Sequence, residues 1–313
     1  MILEQEMQDF VHACNNFEPL KGVELADPEN YRKRYRRLID FIENPQPHQL
    51  IITDATVDSA DGKIPLRIYR NNAQPDQPCC LFLHGGGWFI GGLDTHHNWA
   101  ADLARDAGVT VISVDYRLGL ENPYPAALQD ACAVYHYVRN NASDYGIDAL
   151  RIALYGDSAG GNLCAAVSHM IRDNEQEMPA GQMLIYPALH YGEPLPSWLD
   201  QRDGPILTFE ALKWCWLNYL GKSVLDSYAV PLSATHFSGL PPTWIVAAEF
   251  DPLLDDARYY YAALEKAGTN THLLHAEGLV HDSFRIRHVS EQVRAAYQWS
   301  VAGIKTICGI END

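Results

Sequence analysis

A single serine, Ser158, lies in a setting that could make it a nucleophile. It stands between Gly156 and Gly160 in the run GDSAG, after an alternating apolar segment (151–155) and before an apolar segment of small residues (163–170). Those flanks are typical of a strand and a helix. Glycine on both sides permits a sharp turn, since a Cβ at either position would crowd the strand and the helix. The pattern predicts a nucleophile elbow whose helix N-terminus faces developing negative charge.

Three consecutive glycines form a second chemical feature. Gly85, Gly86 and Gly87 follow His84 and a short apolar segment (79–83) that predicts a strand. Their backbone N–H groups could turn toward an oxyanion in a space that any Cβ would block. A flexible loop or a phosphate cradle are the alternatives. The G-x-G-x-x-G pattern with a downstream acidic residue is absent, which disfavours a nucleotide site.

Asp251 is the best-placed carboxylate for orienting a base. It follows the apolar segment 242–250, whose composition predicts a strand. A side chain there would stand at the carboxyl edge of a parallel sheet, where ligands bind. The alternative is that Asp251 caps a helix predicted at 255–267. Glu249 and Asp255 are weaker candidates for the same role.

His281 is the strongest candidate base among 13 histidines. It follows the last predicted strand within the run EGLVHDSF, and it comes after Ser158 and Asp251 along the chain. A serine hydroxyl needs such a base to take its proton, and the order Ser, Asp, His is one in which catalytic triads occur. His272 and His275 lie inside a predicted strand, where a structural role is expected.

The elements that would position these residues alternate along most of the chain. Segments 50–57 and 64–70 flank Asp61-Gly62 and predict an antiparallel hairpin. From residue 79 onward, apolar strands and helices follow one another in turn. That alternation predicts the α/β class, with a mostly parallel twisted sheet covered by helices on both faces.

Two segments interrupt this alternation. Residues 1–48 precede the first strand and read as helical, whereas residues 189–240 are rich in Pro, Trp and Tyr and contain one predicted helix at 208–220. Insertions beside an active site commonly form a lid or pocket. We therefore predict a core of 49–188 and 241–313, with a cap built from 1–48 and 189–240.

Composition excludes several classes of protein. A net charge of −17 disfavours nucleic acid and anionic membrane surfaces as partners. No apolar window approaches the ~20 residues of a membrane span, so stable membrane insertion is not expected. The first ten residues are acidic where a signal peptide is basic, and the seven cysteines have no regular spacing, so a cytoplasmic location is predicted. No cofactor or metal is expected, because the pair His96-His97 lacks a third ligand nearby.

Five blocks of sequence together resemble the hormone-sensitive-lipase-like family of α/β-hydrolases, the bacterial carboxylesterases with a GDSAG nucleophile motif. They occur in order from about residue 50 to the C-terminus. The blocks are HGGGW (84–88), DYRL with ENPYPAALQD (115–130), GDSAGG (156–161), DPLLDDA (251–257) and EGLVH (277–281).

The resemblance implies an α/β-hydrolase fold and a role for each motif residue. Ser158 would be the nucleophile, Asp251 the acid and His281 the base. His84 and Tyr116-Arg117 would brace the glycine loop. The oxyanion hole would consist of the backbone amides of Gly85, Gly86, Gly87 and Ala159.

The chain departs from the family pattern at two places. It has Gly119-Leu120-Glu121-Asn122 where the family often has A-P-E-H, and Asp282 follows His281 where the family often has glycine. Neither change removes a catalytic group. We therefore expect them to alter substrate preference more than activity, with Asp282 acting on the pocket or on the pKa of His281.

Together these patterns predict a serine carboxylesterase that hydrolyses short- to medium-chain acyl esters through an acyl-enzyme. Trp88, Asp157 and Trp214 are expected to contact the small-molecule ester. Other aromatic residues are placed to line an apolar pocket or to form the core of the cap: Phe89, Trp198, Trp216 and Tyr219.

Two alternative functions and one assembly remain open at this point. An amidase or deacylase could use the same triad, and a non-catalytic ligand-binding relative could use the same fold, although the presence of His281 argues against the latter. A homodimer through the strand at 271–276 is a further hypothesis, because relatives often pair near that sheet edge.

Overall fold

The computed structural model describes residues 3–17, 27–46 and 48–310, and these form strands and helices in alternation. The strands are β1 (Ile51–Ser59), β2 (Gly62–Arg70), β3 (Gln77–Leu83), β4 (Thr110–Val114), β5 (Ile147–Asp157), β6 (Gly181–Ile185), β7 (Thr243–Phe250) and β8 (Thr271–Val280). The helices are α1 (Gln5–Asn16), α2 (Pro28–Ile42), α3 (His97–Ala107), α4 (Ala126–Asn140), α5 (Ala159–Asp173), α6 (Pro196–Asp200), α7 (Phe209–Leu220), α8 (Leu254–Lys266) and α9 (Glu291–Ile307).

The strands form one eight-stranded sheet in the order β1-β2-β4-β3-β5-β6-β7-β8. β1 and β2 form the predicted antiparallel hairpin, and β2 is also antiparallel to β4. All pairs from β4 to β8 are parallel. The predicted α/β class, with a mostly parallel sheet, is confirmed.

The central strands are apolar on both faces because helices cover the sheet on both sides. In β3, Cys79, Leu81 and Leu83 pack into the core beneath α4, α5 and α8. Cys80 and Phe82 point the other way, into the core beneath α3 and α9. This period-2 alternation explains why β3 reads as a continuous apolar run rather than as alternating polar and apolar residues.

The parallel strands bring the predicted chemical groups to one edge of the sheet. β5 ends at Asp157, β7 at Phe250 and β8 at Val280, so Ser158, Asp251 and His281 each follow a strand directly. Parallel neighbours end at the same edge, so residues distant in sequence become neighbours in space. β3 ends there too, and it is followed by the glycine loop.

The two segments predicted to form a cap differ in helix content, since the described part of 1–48 is mainly helical and 189–240 is mostly irregular. α1 and α2 lie within 1–48, of which residues 1, 2, 18–26 and 47 fall outside the described residues, as do 311–313 at the other end. Segment 189–240 contains the predicted helix, α7, and a short helix that sequence reasoning missed, α6. The division into core and cap stays a prediction.

A buried carboxylate joins segment 189–240 to the core. Asp256 of α8 accepts hydrogen bonds from the backbone of Leu189 and His190 and from Trp198 Nε1, each at 2.8 Å. Burial raises the pKa of Asp256 to about 7, and the three donors oppose that rise. The hydrogen bonds fix the point at which the chain leaves β6 and enters α6.

Candidate active site

Ser158 occupies a strained backbone conformation at the junction of β5 and α5. Its φ is 52° and its ψ is −116°, a combination that side-chain-bearing residues rarely adopt. A Cβ on Gly156 would overlap the Gly160 carbonyl oxygen, and one on Gly160 would overlap the Leu83 carbonyl oxygen. The two glycines therefore allow α5 to pack directly against β3 and β5 while the serine projects from the turn.

Ser158, His281 and Asp251 form a continuous hydrogen-bonded series. Ser158 Oγ lies 3.0 Å from His281 Nε2, and His281 Nδ1 lies 2.6 Å from Asp251 Oδ2. Asp251 is fully buried, whereas the serine and the histidine are each 8% exposed. This is the geometry that a nucleophile, its base and an orienting acid require.

Asp251 also caps the start of a helix, which was the alternative role suggested by its position in the sequence. Its Oδ1 accepts a hydrogen bond from the Leu253 amide at 2.9 Å, at the start of α8. One carboxylate oxygen therefore holds His281 and the other holds the helix start. The rival acids have other partners, because Glu249 accepts from the Gly278 amide and Asp255 from the Ser197 amide.

The surroundings of His281 favour its protonated form. Burial alone would lower the pKa of the imidazole, but the negative charge of Asp251 and the hydrogen bond to it act in the opposite direction. The charges of Asp282 and Asp157 add to that effect, and the pKa of His281 is raised above its ordinary value. An imidazolium formed during a reaction would be stabilised in the same way.

Two of the three glycines of the loop, Gly86 and Gly87, line the cavity that contains Ser158. Gly85 N donates to Asp157 Oδ1 at 2.9 Å, so this amide is engaged and the expectation that it belongs to an oxyanion hole is corrected. No hydrogen bond from the Gly86, Gly87 or Ala159 amides occurs within the described part of the chain. At Gly86, φ is 115° and a Cβ would overlap the Ile90 carbonyl oxygen, so only glycine fits.

Aromatic stacking braces the start of this loop. The rings of His84 and Tyr116 stack at 4.2 Å, and the Tyr116 hydroxyl donates to the His84 carbonyl at 2.6 Å. Burial lowers the pKa of His84 to about 4, so its ring is neutral at pH 7. Arg117 follows Tyr116 and forms a 2.8 Å ion pair with Asp130 of α4, which holds the backbone next to Tyr116 in place.

A cavity of about 260 Å³ opens onto Ser158 and His281. Its walls come from the glycine loop, from α2 and from the segment that contains α7. Besides Ser158, Ala159 and His281, the lining residues are Tyr35, Gly86, Gly87, Trp88, Phe89, Ile90, Asp157, Ala188, Ile206, Leu207, Ala211, Leu212, Cys215 and Asp282.

Among the aromatic residues singled out in the sequence, only Trp214 departs from its expected place: Trp88 and Phe89 line the cavity, and the others lie in the apolar core, which was the alternative. Trp88 lines the cavity, and its ring also stacks on Tyr219 at 4.1 Å. Trp214 does not line it, because this side chain is 41% exposed and packs edge-on against Phe89. Trp198, Trp216 and Tyr219 are buried in the apolar core and do not line the cavity either. Aliphatic residues such as Leu212 take the places expected for aromatic ones.

Sequence reasoning missed the contribution of α2 to this site. Tyr35 lines the cavity, and its hydroxyl lies 3.3 Å from Asp282 Oδ2. No local pattern marks Tyr35, because the two residues are 247 positions apart and only the fold brings them together. Ile206, Leu207 and Cys215 lacked a motif for the same reason.

Other features of the described residues carry no comparable chemistry. Cavities of about 660 and 600 Å³ lie against α1 and α2, and neither is lined by Ser158 or His281. Within the described ranges, no cluster of three or more His, Cys, Asp or Glu residues is arranged to hold a metal ion. None of the helices in those ranges has the length and apolar character needed to cross a membrane.

Comparison with known proteins identifies the family. Residues 80–285 match a family model, Abhydrolase_3, described as an α/β-hydrolase fold. The chain is a hormone-sensitive-lipase-like α/β-hydrolase. It is 37% identical over 252 residues to the esterase LipI of Mycobacterium tuberculosis, covering 79% of each chain. It is 34% identical over 279 residues to an ethyl acetate hydrolase of Pseudomonas putida, covering 86% of this chain and 87% of the relative.

Solved structures agree with the sequence relatives. The ester hydrolase EH1AB1 from the metagenome of Lake Arreo superimposes with a TM-score of 0.92 at 31% identity, covering 98% of this chain and 100% of the other. That structure contains a derivative of bipyridine phosphonate. With esterase relatives covering most of its length, this α/β-hydrolase is a carboxylic ester hydrolase.

Proposed function

We propose that this esterase works through a Ser158–His281–Asp251 triad and an acyl-enzyme. The observation that carries the proposal is the hydrogen-bonded series from Ser158 Oγ to His281 to Asp251, with distances of 3.0 and 2.6 Å. The burial of all three side chains supports it, because electrostatic interactions are stronger in a buried site than in water.

Each group then has a defined task. His281 Nε2 removes the Ser158 proton as the oxygen attacks the ester carbonyl, while Asp251 holds the imidazole tautomer and stabilises the imidazolium. The amides of Gly86, Gly87 and Ala159 donate to the tetrahedral oxyanion. His281 protonates the departing alcohol, and water then repeats the sequence on the acyl-enzyme to release the acid.

The cavity supports short- to medium-chain acyl esters as substrates. Its volume of about 260 Å³ is smaller than the ~300–1,000 Å³ typical of sites for drug-sized ligands. Its wall opposite the glycine loop is apolar, from Ile206, Leu207 and Leu212. The relative named ethyl acetate hydrolase supports the same size class.

Hydrolysis of p-nitrophenyl esters with acyl chains from acetyl to palmitoyl tests both parts of the proposal. Activity should be greatest with short chains, and Ser158→Ala should lower kcat by about 10⁶ while the protein stays folded. Activity that rises toward palmitoyl would reject the size class. Near-wild-type turnover by folded Ser158→Ala would reject the mechanism.

Paired ester and amide substrates with the same acyl group separate an esterase from an amidase or deacylase. We expect the ester to be the better substrate, and a preference for the amide would reassign the reaction. A serine-directed organophosphate should label the wild type once per chain and leave Ser158→Ala unlabelled. Labelling of both proteins to the same extent would exclude Ser158 as the nucleophile.

We also propose a homodimer and a cytoplasmic location, as the sequence predicted. β8 is the last strand in the sheet order and pairs with β7, so its other side is available for a second copy. Light scattering at micromolar concentration should give twice the mass of the chain, and a monomeric mass would exclude the dimer. Fractionation of the producing cells tests the location.

A further inference from the structure

Asp282 lines the active-site cavity beside the proposed base. It follows His281 directly, and its φ of 58° lies in the left-handed region, where aspartate is tolerated better than most residues. Its side chain is 18% exposed, so it borders the space that a substrate would occupy. The triad does not use this carboxylate.

A network of hydrogen bonds fixes the direction of the Asp282 carboxylate. Oδ1 accepts from Arg285 Nε at 3.1 Å, and Oδ2 accepts from the Tyr35 hydroxyl at 3.3 Å. Arg285 is buried and also donates to Glu43 Oε1 at 3.0 Å and to the Thr95 carbonyl at 2.6 Å. Asp282 is therefore held against the cavity wall by Tyr35 of α2 and by Arg285, which lies three residues further along the same loop.

The charges around the cavity are predominantly negative. Among its lining residues, all of which lie in the described part of the chain, Asp157 and Asp282 are acidic and none is lysine or arginine. Arg285 stands behind Asp282, but Glu43 shares its charge. Three carboxylates and one guanidinium give this cluster a formal charge of −2. Apart from His281, whose imidazole is already paired with Asp251, an anionic group that entered the cavity would meet no cation among the lining residues.

We propose that Asp282 is a specificity-determining residue that makes this esterase discriminate against esters carrying a carboxylate. The proposal rests on the proposed function and defines its substrate class as esters without an anionic group near the scissile bond. Like charges held a few ångströms apart in a partly buried site repel strongly enough to change a rate constant by about ten- to a hundredfold.

Matched pairs of substrates test this directly. Mono-p-nitrophenyl adipate and p-nitrophenyl adipamate differ only in a carboxylate against a carboxamide on the acyl half. The pair para-acetoxybenzoate and para-acetoxybenzamide places the same change on the alcohol half, so the test does not depend on how the ester lies in the cavity. For the wild type, we expect kcat/KM to favour the amide-bearing ester at least about tenfold in one pair or both.

Two variants assign the effect to Asp282. Asp282→Asn keeps the size and the tolerance for positive φ, and it should reduce the discrimination at least about fivefold. Glu43→Gln removes the same charge from the same arginine at a position that does not line the cavity, so it should change the ratio clearly less than Asp282→Asn does. Asp282→Gly is a second replacement that suits the backbone if the asparagine variant does not fold.

The outcomes separate this proposal from the proposed function. If the wild type hydrolysed none of the four esters, the proposed function would be rejected. If its kcat/KM values were equal within both pairs, only the role of Asp282 would be overturned. If Asp282→Asn kept the preference for the amide-bearing ester, the preference would come from Asp157 or from the overall charge of the chain. That result would also overturn the proposal. Equal changes in Asp282→Asn and Glu43→Gln would show a structural effect of the Arg285 network instead.

Discussion

At the carboxyl edge of the sheet, Ser158, His281 and Asp251 are held by directed hydrogen bonds, whereas α7 meets the same cavity through apolar side chains such as Leu212 and Cys215. We call the first region, residues 84–88, 156–162, 251–253 and 281–285, the catalytic floor. We call the second, residues 189–240, the cap segment.

The two regions tolerate change differently because the interactions that shape them differ. Hydrogen bonds in the catalytic floor have fixed partners, and a buried group that loses its partner is penalised by about 1–3 kcal/mol. Apolar contacts in the cap segment depend on volume and shape, so similar residues can replace one another. The chemistry therefore depends on a few particular residues, whereas the shape of the pocket depends on the combined packing of many residues.

The largest expected effect falls on the catalytic floor. Asp251→Asn should keep the hydrogen bond from the Leu253 amide but hold the wrong tautomer of His281, and it should lower kcat by about 10⁴ at neutral pH. The free energy of unfolding should change by far less than the activation free energy that corresponds to this loss of kcat. Steady-state kinetics and denaturant unfolding on the same preparation measure the two quantities. A parallel loss in both would mean that Asp251 acts mainly as a helix cap.

Substitutions in the cap segment should show the opposite balance. Trp216 is fully buried against Trp88 and Tyr191, so Trp216→Ala should lower the free energy of unfolding by about 3–5 kcal/mol. Trp214→Ala, two residues away and 41% exposed, is the matched control and should cost about 1 kcal/mol or less. Equal losses measured by urea unfolding would contradict the arrangement of α7.

The next largest effect on stability is expected from a substitution in the close backbone packing beneath Ser158. Gly160→Ala would place a Cβ against the Leu83 carbonyl, and we expect it to destabilise the protein by roughly 3 kcal/mol and to displace Ser158. Gly268→Ala is the control, because that position has a φ of 79° but open space around it, so only backbone strain of about 1–2 kcal/mol applies. If Gly160→Ala proved the milder of the two, close packing would not be what requires glycine in the motif.

The same contrast explains what the sequence could predict. The nucleophile turn, the glycine loop and the order of Ser158, Asp251 and His281 are each encoded in short local patterns. A parallel sheet then brings the ends of neighbouring strands together without further information. Local sequence could not show that the Gly85 amide is engaged by Asp157, because that hydrogen bond joins residues 72 positions apart.

The cap segment was predicted less well for a geometrical reason. Trp214 and Trp216 are two residues apart on α7, so their side chains point about 200° apart and at most one could face the cavity. The rotation of α7 about its axis is set by the packing of its Trp216 and Tyr219 against Trp88, which local sequence does not specify. Tyr35 was missed likewise, because its contacts with Asp282 and Arg285 span 247 and 250 positions.

The smallest expected effect concerns the junction of the catalytic floor with α2, where Asp282 meets Tyr35. The negative charges of Asp251, Asp282 and Asp157 raise the pKa of His281, and the charge of Asp282 is removed in Asp282→Asn. The pKa of His281 should therefore fall in that variant. Because the base must be neutral to accept the Ser158 proton, the acidic limb of the kcat/KM profile should move to lower pH.

A neutral ester is the substrate for this measurement, so that substrate charge does not contribute. Glu43→Gln serves again as the control, since Glu43 pairs with the same Arg285 but does not line the cavity. Its acidic limb should coincide with that of the wild type. A limb that moved to higher pH in Asp282→Asn would mean that losing the Tyr35 and Arg285 contacts disturbs His281 more than losing the charge does. In that case the floor would depend on α2 for its geometry, and the contrast between a self-contained floor and an adaptable cap would fail at this junction.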